Sequence, residues 1–367
     1  PVLQTGSGTS TNMNVNEVIA RLGSRKNLKL SPNDDVNMGQ SSNDVIPTAL
    51  HIAAARLIHS DVIPALTALA DVIGETAGQH RQVVKTGRTH LMDALPIRLE
   101  HEMGAWRSQI EDNIARLQES LTRLQKLALG GTAVGSGVNC AVDFPKIAVA
   151  AINRMTGLSF SRSDSFYKGL SSIDTILETS GHLKTCAVSL MKIANDLRWM
   201  NSGPHGGLAE IRLQPLQPGS SIMVDKVNPV IPEAVLMAAA RVIGNDASIG
   251  VAAQSGNFQL NTMLPLAASD LLGSSELISR ASNVLASKAI ATMTVLVDNL
   301  ERPLLKNPVL VTSLTPYIGY MKAAEIAKTA RQEGLPVIEI ARRETDIDDD
   351  LLEKLLDPRH LADGGKD

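Results

Sequence analysis

The sequence has 367 residues, 44% of them apolar and 20% charged, and a formal net charge of -3, which together exclude a disordered chain and a strongly basic nucleic-acid-binding domain. No run of about 18 consecutive apolar residues occurs, so we expect no membrane-spanning helix. The two cysteines cannot form a disulfide framework, which favours the reducing cytoplasm.

The first forty residues are polar and rich in Gly, Ser, Thr and Asn, which predicts loops and one short helix near residues 15–22. A helical pattern then runs from Ser41 to about Ala77, opened by polar capping residues, and Pro64 predicts a kink within it. Between residues 97 and 128 the apolar residues alternate at spacings of 4 and 3, as in the contact seam of packed helices. That seam consists of Ile110, Ile114, Leu117, Leu121, Leu124 and Ala128.

Three further long helices are predicted at residues 171–201, 232–256 and 266–298. All five long segments exceed the roughly 8 to 20 residues typical of globular helices, and such helices need neighbours of matching length. Aromatic residues make up only 2% of the chain, which also favours helices over sheets. We therefore predict an all-α fold: a remnant of an N-terminal domain (1–40), a central bundle of five long helices (41–300) and a small helical C-terminal domain (301–367).

Four polar, glycine-rich segments precede or separate these helices. They offer hydroxyls, amides and backbone N–H groups, and two of them adjoin helix N-termini, an inventory that can bind a small dianion with several oxygen atoms. Any one of them alone is more commonly an ordinary cap or turn, but four in one chain favour a binding function. The segments are Thr5–Asn12, Pro32–Asp44, Gly87–His90 and Gly219–Pro229.

Sequence motifs of several other chemistries are missing. The eight histidines form no HxxxH or HExxH pair and neither cysteine has a CxxC partner, so we predict no metal site. The glycine-rich stretch Gly130–Gly135 is not followed by the lysine of a phosphate-binding loop, and no GxSxG elbow occurs. The sequence also lacks the basic stripe and aromatic platforms of nucleic-acid-binding proteins.

The order of the polar motifs resembles that of the fumarase/aspartase superfamily over essentially the whole chain. Residues 219–228 read GSSIMVDKVN and are similar to the superfamily signature GSSxMPxKxN. The motifs GSGT, SSND, GRTH and GGTAVG precede it in order, and GNFQLN follows it. His90 in GRTH, where aspartases usually carry glutamine, and the segment LTPYIGY ending at Tyr320 resemble the class II fumarases.

This resemblance implies a hydro-lyase of the tricarboxylic acid cycle that interconverts fumarate and (S)-malate without a cofactor. The difficult step removes a proton from the carbon beside a carboxylate, so the site must supply a strong base and concentrated positive potential. By resemblance Ser220 is that base, as an alkoxide stabilised by backbone N–H groups of its loop and by Lys226. His90, oriented by Glu233, is expected to handle the departing or attacking water.

The resemblance also implies a substrate-binding set, in which Lys226 and Asn228 hold one carboxylate. The whole set is Ser7, Gly8, Thr9, Ser41, Ser42, Asn43, Thr89, Ser221, Lys226 and Asn228. A secondary dicarboxylate site is expected at Ser31, Pro32, Asn33 and Asp34. The chain departs from the family pattern at Val224-Asp225, where Pro-Gly or Pro-Ala is usual, and at Ser31, where His is usual.

The long helices carry apolar residues on more than one side, so we expect the bundles of several chains to pack together. The resemblance implies a homotetramer with a twenty-helix core, in which the Ser41, His90 and Ser220 regions of three subunits form each site. The expected partners are a small dicarboxylate and further copies of the chain, with neither nucleic acid nor membrane.

Two alternative functions remain open at this point. The first is an aspartate ammonia-lyase or another lyase of the superfamily, which would use the same serine base. The second is a non-catalytic structural homotetramer, since the superfamily has members recruited as lens proteins, and the unusual Val224-Asp225 pair gives this alternative some support.

Overall fold

A computed structural model describes residues 1–365 and consists mainly of helices. The all-α prediction is confirmed, and the four longest helices coincide with segments predicted as long helices. The α-helices are α1 Thr9–Gly23, α2 Ser42–Leu57, α3 Ile63–Gln79, α4 Leu99–Leu124, α5 Phe144–Thr156, α6 Phe166–Ser171, α7 Asp174–Met200, α8 Val230–Ala253, α9 Leu264–Leu285, α10 Val297–Glu301, α11 Thr315–Glu333, α12 Val337–Glu344, α13 Asp349–Leu356 and α14 Pro358–Ala362.

Strands are short and occur in two-stranded pairs within residues 1–365. Only the antiparallel hairpin β1–β2 exceeds two residues per strand, and the sequence analysis did not predict it. The strands are β1 Val84–Thr89, β2 Met92–Arg98, β3 Lys126–Leu127, β4 Ser161–Arg162, β5 Ile211–Arg212, β6 Gly256–Asn257, β7 Leu260–Asn261 and β8 Thr294–Val295.

The long helical segment predicted from Ser41 to Ala77 is interrupted before Pro64, as expected. The interruption is a π-helical turn, Ile58–Val62, which separates α2 from α3. Proline lacks an N–H group and its ring collides with the carbonyl four residues earlier, so a helix must locally change its hydrogen bonding in front of it. Ile58 and Val62 stay fully buried, so the interruption does not break the apolar face.

The prediction of a continuous helix over residues 266–298 is wrong in its last third. Helix α9 ends at Leu285 and is followed by a π-helical turn, Ala286–Ile290. The chain then extends as β8, which pairs antiparallel with β5. The apolar periodicity continues through this segment, but the residues that follow the π turn bond to a strand and no longer to their own helix.

The chain forms two compact units, and the first comprises Pro1–Ala68, Ile110–Lys192 and Glu233–Asn283. Within it the predicted seam of α4 is confirmed at Ile110, Leu117 and Leu124, which are fully buried at a spacing of seven residues. The seam residues between them, Ile114 and Leu121, are only half-buried. This side of α4 therefore has less cover within one chain than the seam predicted.

Two polar residues of α4 are fully buried beside that seam. The amide Nδ2 of Asn113 donates to Ser189 Oγ at 2.9 Å, and Ser120 Oγ lies 2.7 Å from His182 Nδ1. Because Ser189 and His182 both belong to α7, these bonds fix how α4 and α7 face each other. Periodicity alone could not assign Asn113 and Ser120 to the interior.

The second unit comprises Leu69–Gln109, Ile193–Pro232 and the chain from Val284 onward. It contains the β1–β2 hairpin and the loop of residues 219–229. An apolar cluster of its own, centred on Leu314, Ile326, Ile340 and Leu352, holds the helices of the C-terminal segment together. The division of the chain at residues 40 and 300 stays a prediction.

Two helical stretches, Ser42–Gln79 and Val230–Ala253, are long and apolar enough to cross a membrane by length and composition. Core helices of globular proteins share both properties, so this observation does not assign a membrane. Within one chain, however, only 39% and 28% of their most apolar windows are buried. These helices therefore present apolar side chains that a single chain does not cover.

Candidate active site

Three of the predicted binding residues with hydroxyl side chains lie in contact in the first unit. Ser7 Oγ is 2.8 Å from Thr9 Oγ1, which is in turn 2.8 Å from Ser42 Oγ. Gly8, at the start of α1, has a φ of 71°, a conformation that favours glycine, and a Cβ there would lie 3.0 Å from Ile46. The structure thus brings the turn before α1 and the start of α2 together.

The N-terminus of α2 is closed by a capping box. Ser41 Oγ accepts the Asn43 N–H at 3.2 Å, and the Asp44 carboxylate accepts the Ser41 N–H at 3.0 Å. The side-chain amide of Asn43 donates to the Ala133 carbonyl at 2.9 Å, so its orientation is also determined. Ser41, Ser42 and Asn43 are half-buried at a helix N-terminus, where the backbone dipoles favour an anion.

The residues predicted to form a secondary dicarboxylate site lie together in one π-helical turn, Pro32–Val36, and its cap. Ser31 Oγ donates to Asp34 Oδ2 at 2.9 Å and accepts the Asp34 N–H at 3.1 Å. Asp35 accepts the Ser31 N–H at 2.7 Å. The Ser31 hydroxyl is therefore engaged inside its own turn, and dicarboxylate binding there stays a prediction.

In the second unit, Thr89 and His90 lie at the tip of the β1–β2 hairpin. Thr89 pairs with Met92, and the two residues between them, His90 and Leu91, have φ values of 55° and 60°. Positive φ at both central residues is the pattern of a type I′ turn, which usually contains Asn or Gly. Non-glycine residues in this conformation cost energy, and such strain concentrates at functional sites. The turn leaves the His90 side chain exposed.

The segment Gly219–Asn228 forms a closed loop. Asn228 Nδ2 donates to the Gly219 carbonyl at 2.6 Å, and Lys226 Nζ donates to Asn228 Oδ1 at 2.5 Å. A Cβ on Gly219 would lie 2.1 Å from the Lys226 carbonyl oxygen, so only glycine allows this close approach. The loop therefore holds Lys226 and Asn228 side by side, as a pair that binds one carboxylate requires.

Ser220 Oγ accepts two backbone N–H groups of its own loop. The donors are Met223, at 2.9 Å, and Ile222, at 3.2 Å. Two fixed N–H donors stabilise negative charge on this oxygen, as in an oxyanion-binding site. The Lys226 ammonium is bound to Asn228, and the role of Ser220 as the base stays a prediction.

The two residues that depart from the family pattern lie at the exposed tip of this loop. Asp225 has a φ of 64°, in the left-handed region that glycine adopts without cost. Aspartate is among the residues that tolerate this region, so the loop keeps its path. Val224 is 98% exposed, so its side chain is almost uncovered by residues 1–365.

Glu233 lies half-buried in the first turn of α8, and its role beside His90 stays a prediction. Among residues 1–365, no hydrogen bond joins Ser220, Lys226 or Asn228 to Thr89 or His90. Within the second unit, the hairpin and the loop are therefore not linked by hydrogen bonds between these residues.

Metal and thiol chemistry find little support among residues 1–365. No group of three or more His, Cys, Asp or Glu side chains there could hold a metal ion. Cys186 is fully buried, and burial raises its pKa to about 12. Burial, with a smaller effect of Asp44, also raises the pKa of Cys140. Both free cysteines are therefore poor sources of thiolate.

Asp44, the last residue of the polar segment Pro32–Asp44, was not among the predicted substrate-binding residues. It is fully buried, and its carboxylate also accepts the N–H groups of Gly130 and Thr132, both at 2.9 Å. The spacing of Ser41 and Asp44 is that of a capping box, so the sequence signals the local contact. The link to Gly130–Gly135, a segment 86 residues further along, required the structure.

Two protein-family profiles match the chain. The profile described as "Lyase" matches residues 1–244, and the profile described as "Fumarase C C-terminus" matches residues 310–363. Both ranges include motifs on which the resemblance was based, among them the Ser220 loop and the segment before Tyr320.

Individual proteins are similar over nearly the full chain. "Fumarate hydratase class II 2" of Pseudomonas aeruginosa is 55% identical over 365 residues, which cover 99% of this chain and 80% of that protein. The class II fumarase of Schistosoma mansoni has a crystal structure that superposes with a TM-score of 0.95 at 33% identity, covering 100% of this chain and 81% of that one. The crystal structure of a cobalt-bound fumarate lyase:delta crystallin from Brucella melitensis superposes with a TM-score of 0.92 at 39% identity. The match covers 98% of this chain and 80% of that one.

Proposed function

The chain belongs to the lyase family that includes the class II fumarate hydratases, and from this membership we propose which of its residues carry out the reaction. Its function is the reversible hydration of fumarate to malate, the reaction of a carbon–oxygen lyase. This activity is consistent with a place in the tricarboxylic acid cycle.

The observation that carries the proposed mechanism is the pair of N–H groups bound to Ser220 Oγ. As an alkoxide, Ser220 removes a proton from the malate carbon beside a carboxylate, and the electron pair is delocalised into that carboxylate. The carbon–oxygen bond then breaks, the double bond of fumarate forms, and the leaving hydroxide takes a proton to become water. The substrate carboxylate accepts the electrons, so these steps require no added electron sink.

We assign the proton for the leaving hydroxide to His90, with Glu233 as its orienting carboxylate. The strained turn that presents an exposed His90 at the hairpin tip supports this assignment. A carboxylate partner makes an imidazole a better base at neutral pH. In the hydration direction the same histidine removes a proton from the attacking water.

The substrate carboxylates are assigned to two groups of residues. Lys226 and Asn228, whose Nζ and Oδ1 atoms lie 2.5 Å apart, bind one carboxylate together with Ser221. Thr89 contributes a further contact from the hairpin. The linked hydroxyls of Ser7, Thr9 and Ser42, with Gly8, Ser41 and Asn43, bind the remaining oxygens. The turn Ser31–Asp34 remains the proposed secondary site.

We propose that the active form is a homotetramer in which each site takes residues from three chains. The apolar windows of Ser42–Gln79 and α8, 39% and 28% buried in one chain, support extensive packing between chains. Among residues 1–365, no hydrogen bond joins the Ser220 loop to His90, and this also supports sites shared between chains. We further propose a cytoplasmic location, which the two free cysteines support.

The test is a side-by-side assay of fumarate formation from malate and from aspartate by the full chain. We expect rapid turnover of malate and hydration of fumarate, with negligible release of ammonia from aspartate. Faster fumarate formation from aspartate would instead identify an ammonia-lyase. A folded tetramer that turns over none of these dicarboxylates would contradict the function and favour the structural alternative.

A further inference from the structure

Asp44 has an unusual environment for an acidic residue beside a site for a dianion. The side chain is fully buried, and its two oxygens accept three backbone N–H groups, those of Ser41, Gly130 and Thr132, at 2.9 to 3.0 Å. Burial raises the pKa of Asp44 although these three bonds oppose the shift. Among residues 1–365, no cationic side chain pairs with it. Burying a carboxylate without a cationic partner is energetically unfavourable, which indicates that Asp44 does more than stabilise the fold.

The turn that Asp44 binds is itself strained. Thr132 has a φ of 55°, a conformation that β-branched residues avoid. Its hydroxyl is buried without a hydrogen-bond partner among residues 1–365, so no hydrogen bond of the Thr132 side chain holds the turn. The bonds that hold it to α2 come from Asp44, which binds the Thr132 N–H, and from Asn43, which binds the Ala133 carbonyl at 2.9 Å.

Both of these bonds start from the first turn of α2. Asp44 therefore ties the strained turn to the Ser41 N–H through one carboxylate, while Asn43 reaches the neighbouring carbonyl. Ser41 caps α2, and Ser42 and Asn43 form its first turn; all three are half-buried at a helix end, where fraying would otherwise let the backbone move. Substrate-binding groups must hold their positions to well within an ångström to be effective.

We propose that Asp44 is a positioning residue: its carboxylate locks the N-terminus of α2, Ser41–Asn43, onto the strained turn Gly130–Ala133, so that this helix end is preorganised for a dicarboxylate. The inference rests on the proposed function, because it takes Ser41–Asn43 as binding residues. Asp44 itself does not touch the substrate, since both of its oxygens are occupied by backbone N–H groups.

A carboxylate is needed here because all three partners are donors. Asparagine has one acceptor oxygen, so its NH2 group would face either the Ser41 N–H or the two N–H groups of the turn. In either orientation Asp44→Asn leaves at least one backbone donor unpaired and cuts the bridge between Ser41 and the turn. By contrast, Thr132→Gly keeps the N–H that Asp44 binds, removes the unpaired hydroxyl and suits the positive φ.

The first test measures binding of succinate, a saturated dicarboxylate that cannot react, by calorimetry, together with the KM for malate. We expect Asp44→Asn to raise the Kd for succinate and the KM for malate by about tenfold or more, the effect of losing one or two buried hydrogen bonds. Thr132→Gly should leave both within about twofold. The matched control is Asp246→Asn, a buried carboxylate bonded to Ser180 and Lys184, which should lower Tm without changing succinate affinity.

Succinate affinity within twofold of wild type in Asp44→Asn would overturn the proposal, as would a tenfold loss in Thr132→Gly. If Asp44→Asn does not fold, hydrogen exchange on the wild-type tetramer decides. We expect succinate to slow exchange of the Gly130 and Thr132 amides together with those of Ser42 and Asn43. Protection confined to residues 41–43 would contradict the proposed lock. If the wild-type protein turns over malate but these results are not obtained, only the positioning role of Asp44 is refuted. If the wild-type protein does not turn over malate, the proposed function is refuted.

Discussion

The guanidinium of Arg88 lies 2.6 Å from the carboxylate of Glu210, and the other oxygen of that carboxylate lies 2.7 Å from Lys85 Nζ. Lys85 and Glu210 are almost completely buried, with 2% and 4% of their side chains exposed. Arg88 and Lys85 both belong to β1, the strand that ends at Thr89 and leads into His90. Glu210 therefore anchors the strand that carries two of the proposed site residues.

We expect Glu210→Gln to lower the free energy of unfolding by about 3 kcal/mol, because Arg88 loses its carboxylate partner and the buried Lys85 keeps only Glu102. Urea unfolding at a fixed protein concentration measures the change. The exposed pair of Glu333 and Arg343 is the matched control, and Glu333→Gln should leave the midpoint unchanged. Equal changes in the unfolding free energy of both variants would show that the buried ion pairs of Glu210 stabilise the fold no more than an exposed pair does.

Ser220→Ala should fold normally and lose at least about three orders of magnitude in kcat, because a loop hydroxyl adds little to stability but the base is needed in the transition state. The measurement is steady-state malate dehydration, with Tm recorded to check folding. If the variant keeps more than about a tenth of the wild-type kcat, Ser220 is not the base.

Changing Val224→Pro and Asp225→Gly together should lower the KM for malate. Unit charges about 8 Å apart at an effective dielectric of about 20 interact by roughly 2 kcal/mol, and solvent screening reduces this to an expected threefold to tenfold effect. Asp225→Asn separates charge from conformation, since asparagine also tolerates the φ of 64° found there. An unchanged or higher KM in the double variant would show that the Asp225 charge does not reach the substrate.

Inactive His90→Asn chains and inactive Ser220→Ala chains should restore activity when they are unfolded and refolded together. In mixed tetramers with shared sites, some sites receive an intact His90 and an intact Ser220 from different parents. Malate turnover of the refolded mixture, compared with each parent refolded alone, measures the effect. Complete failure in proven mixed tetramers would place both residues of a site in one chain.

His51 should make stability depend on pH below neutrality. Burial lowers its pKa from the usual 6.5, although the Leu124 carbonyl 3.0 Å from Nδ1 opposes the shift. The uncharged ring is therefore favoured in the folded state, so its contribution is present above pH 6.5 and is lost as pH falls towards the lowered pKa. Unfolding free energies at several pH values between about 7 and 5 should fall less steeply in His51→Gln than in wild type. His59→Gln, at an exposed position, is the control, and an unchanged slope in His51→Gln would contradict the prediction.

The sequence predicted the long helices because apolar spacing follows directly from helix geometry, as at Ile110, Leu117 and Leu124. It did not predict the β1–β2 hairpin, since His90-Leu91 lacks the Asn-Gly or Asp-Gly signal of a type I′ turn. The short helix α5 was also missed, because 13 residues led by a proline give little periodic signal.

For the candidate site, ordered motifs identified the loops but not their supports. Asp44 and Glu210 act through partners far away in sequence, Gly130 and Lys85, and no local pattern encodes such a pairing. Buried polar residues such as Asn113 pose the same problem, because their partners on α7 become known only when the helices are packed. Supporting contacts of this kind depend on tertiary structure.

The closed loop Gly219–Asn228 also has a thermodynamic consequence. Its ends are joined by the bond from Asn228 to the Gly219 carbonyl, and Ser220 Oγ and the Lys226–Asn228 pair brace its interior. Ordering a free loop costs about 1 to 2 kcal/mol of backbone entropy per residue at 25 °C. A loop that is already ordered loses little of this entropy when a substrate binds. The free energy of substrate binding is then not reduced by the entropy of ordering the loop.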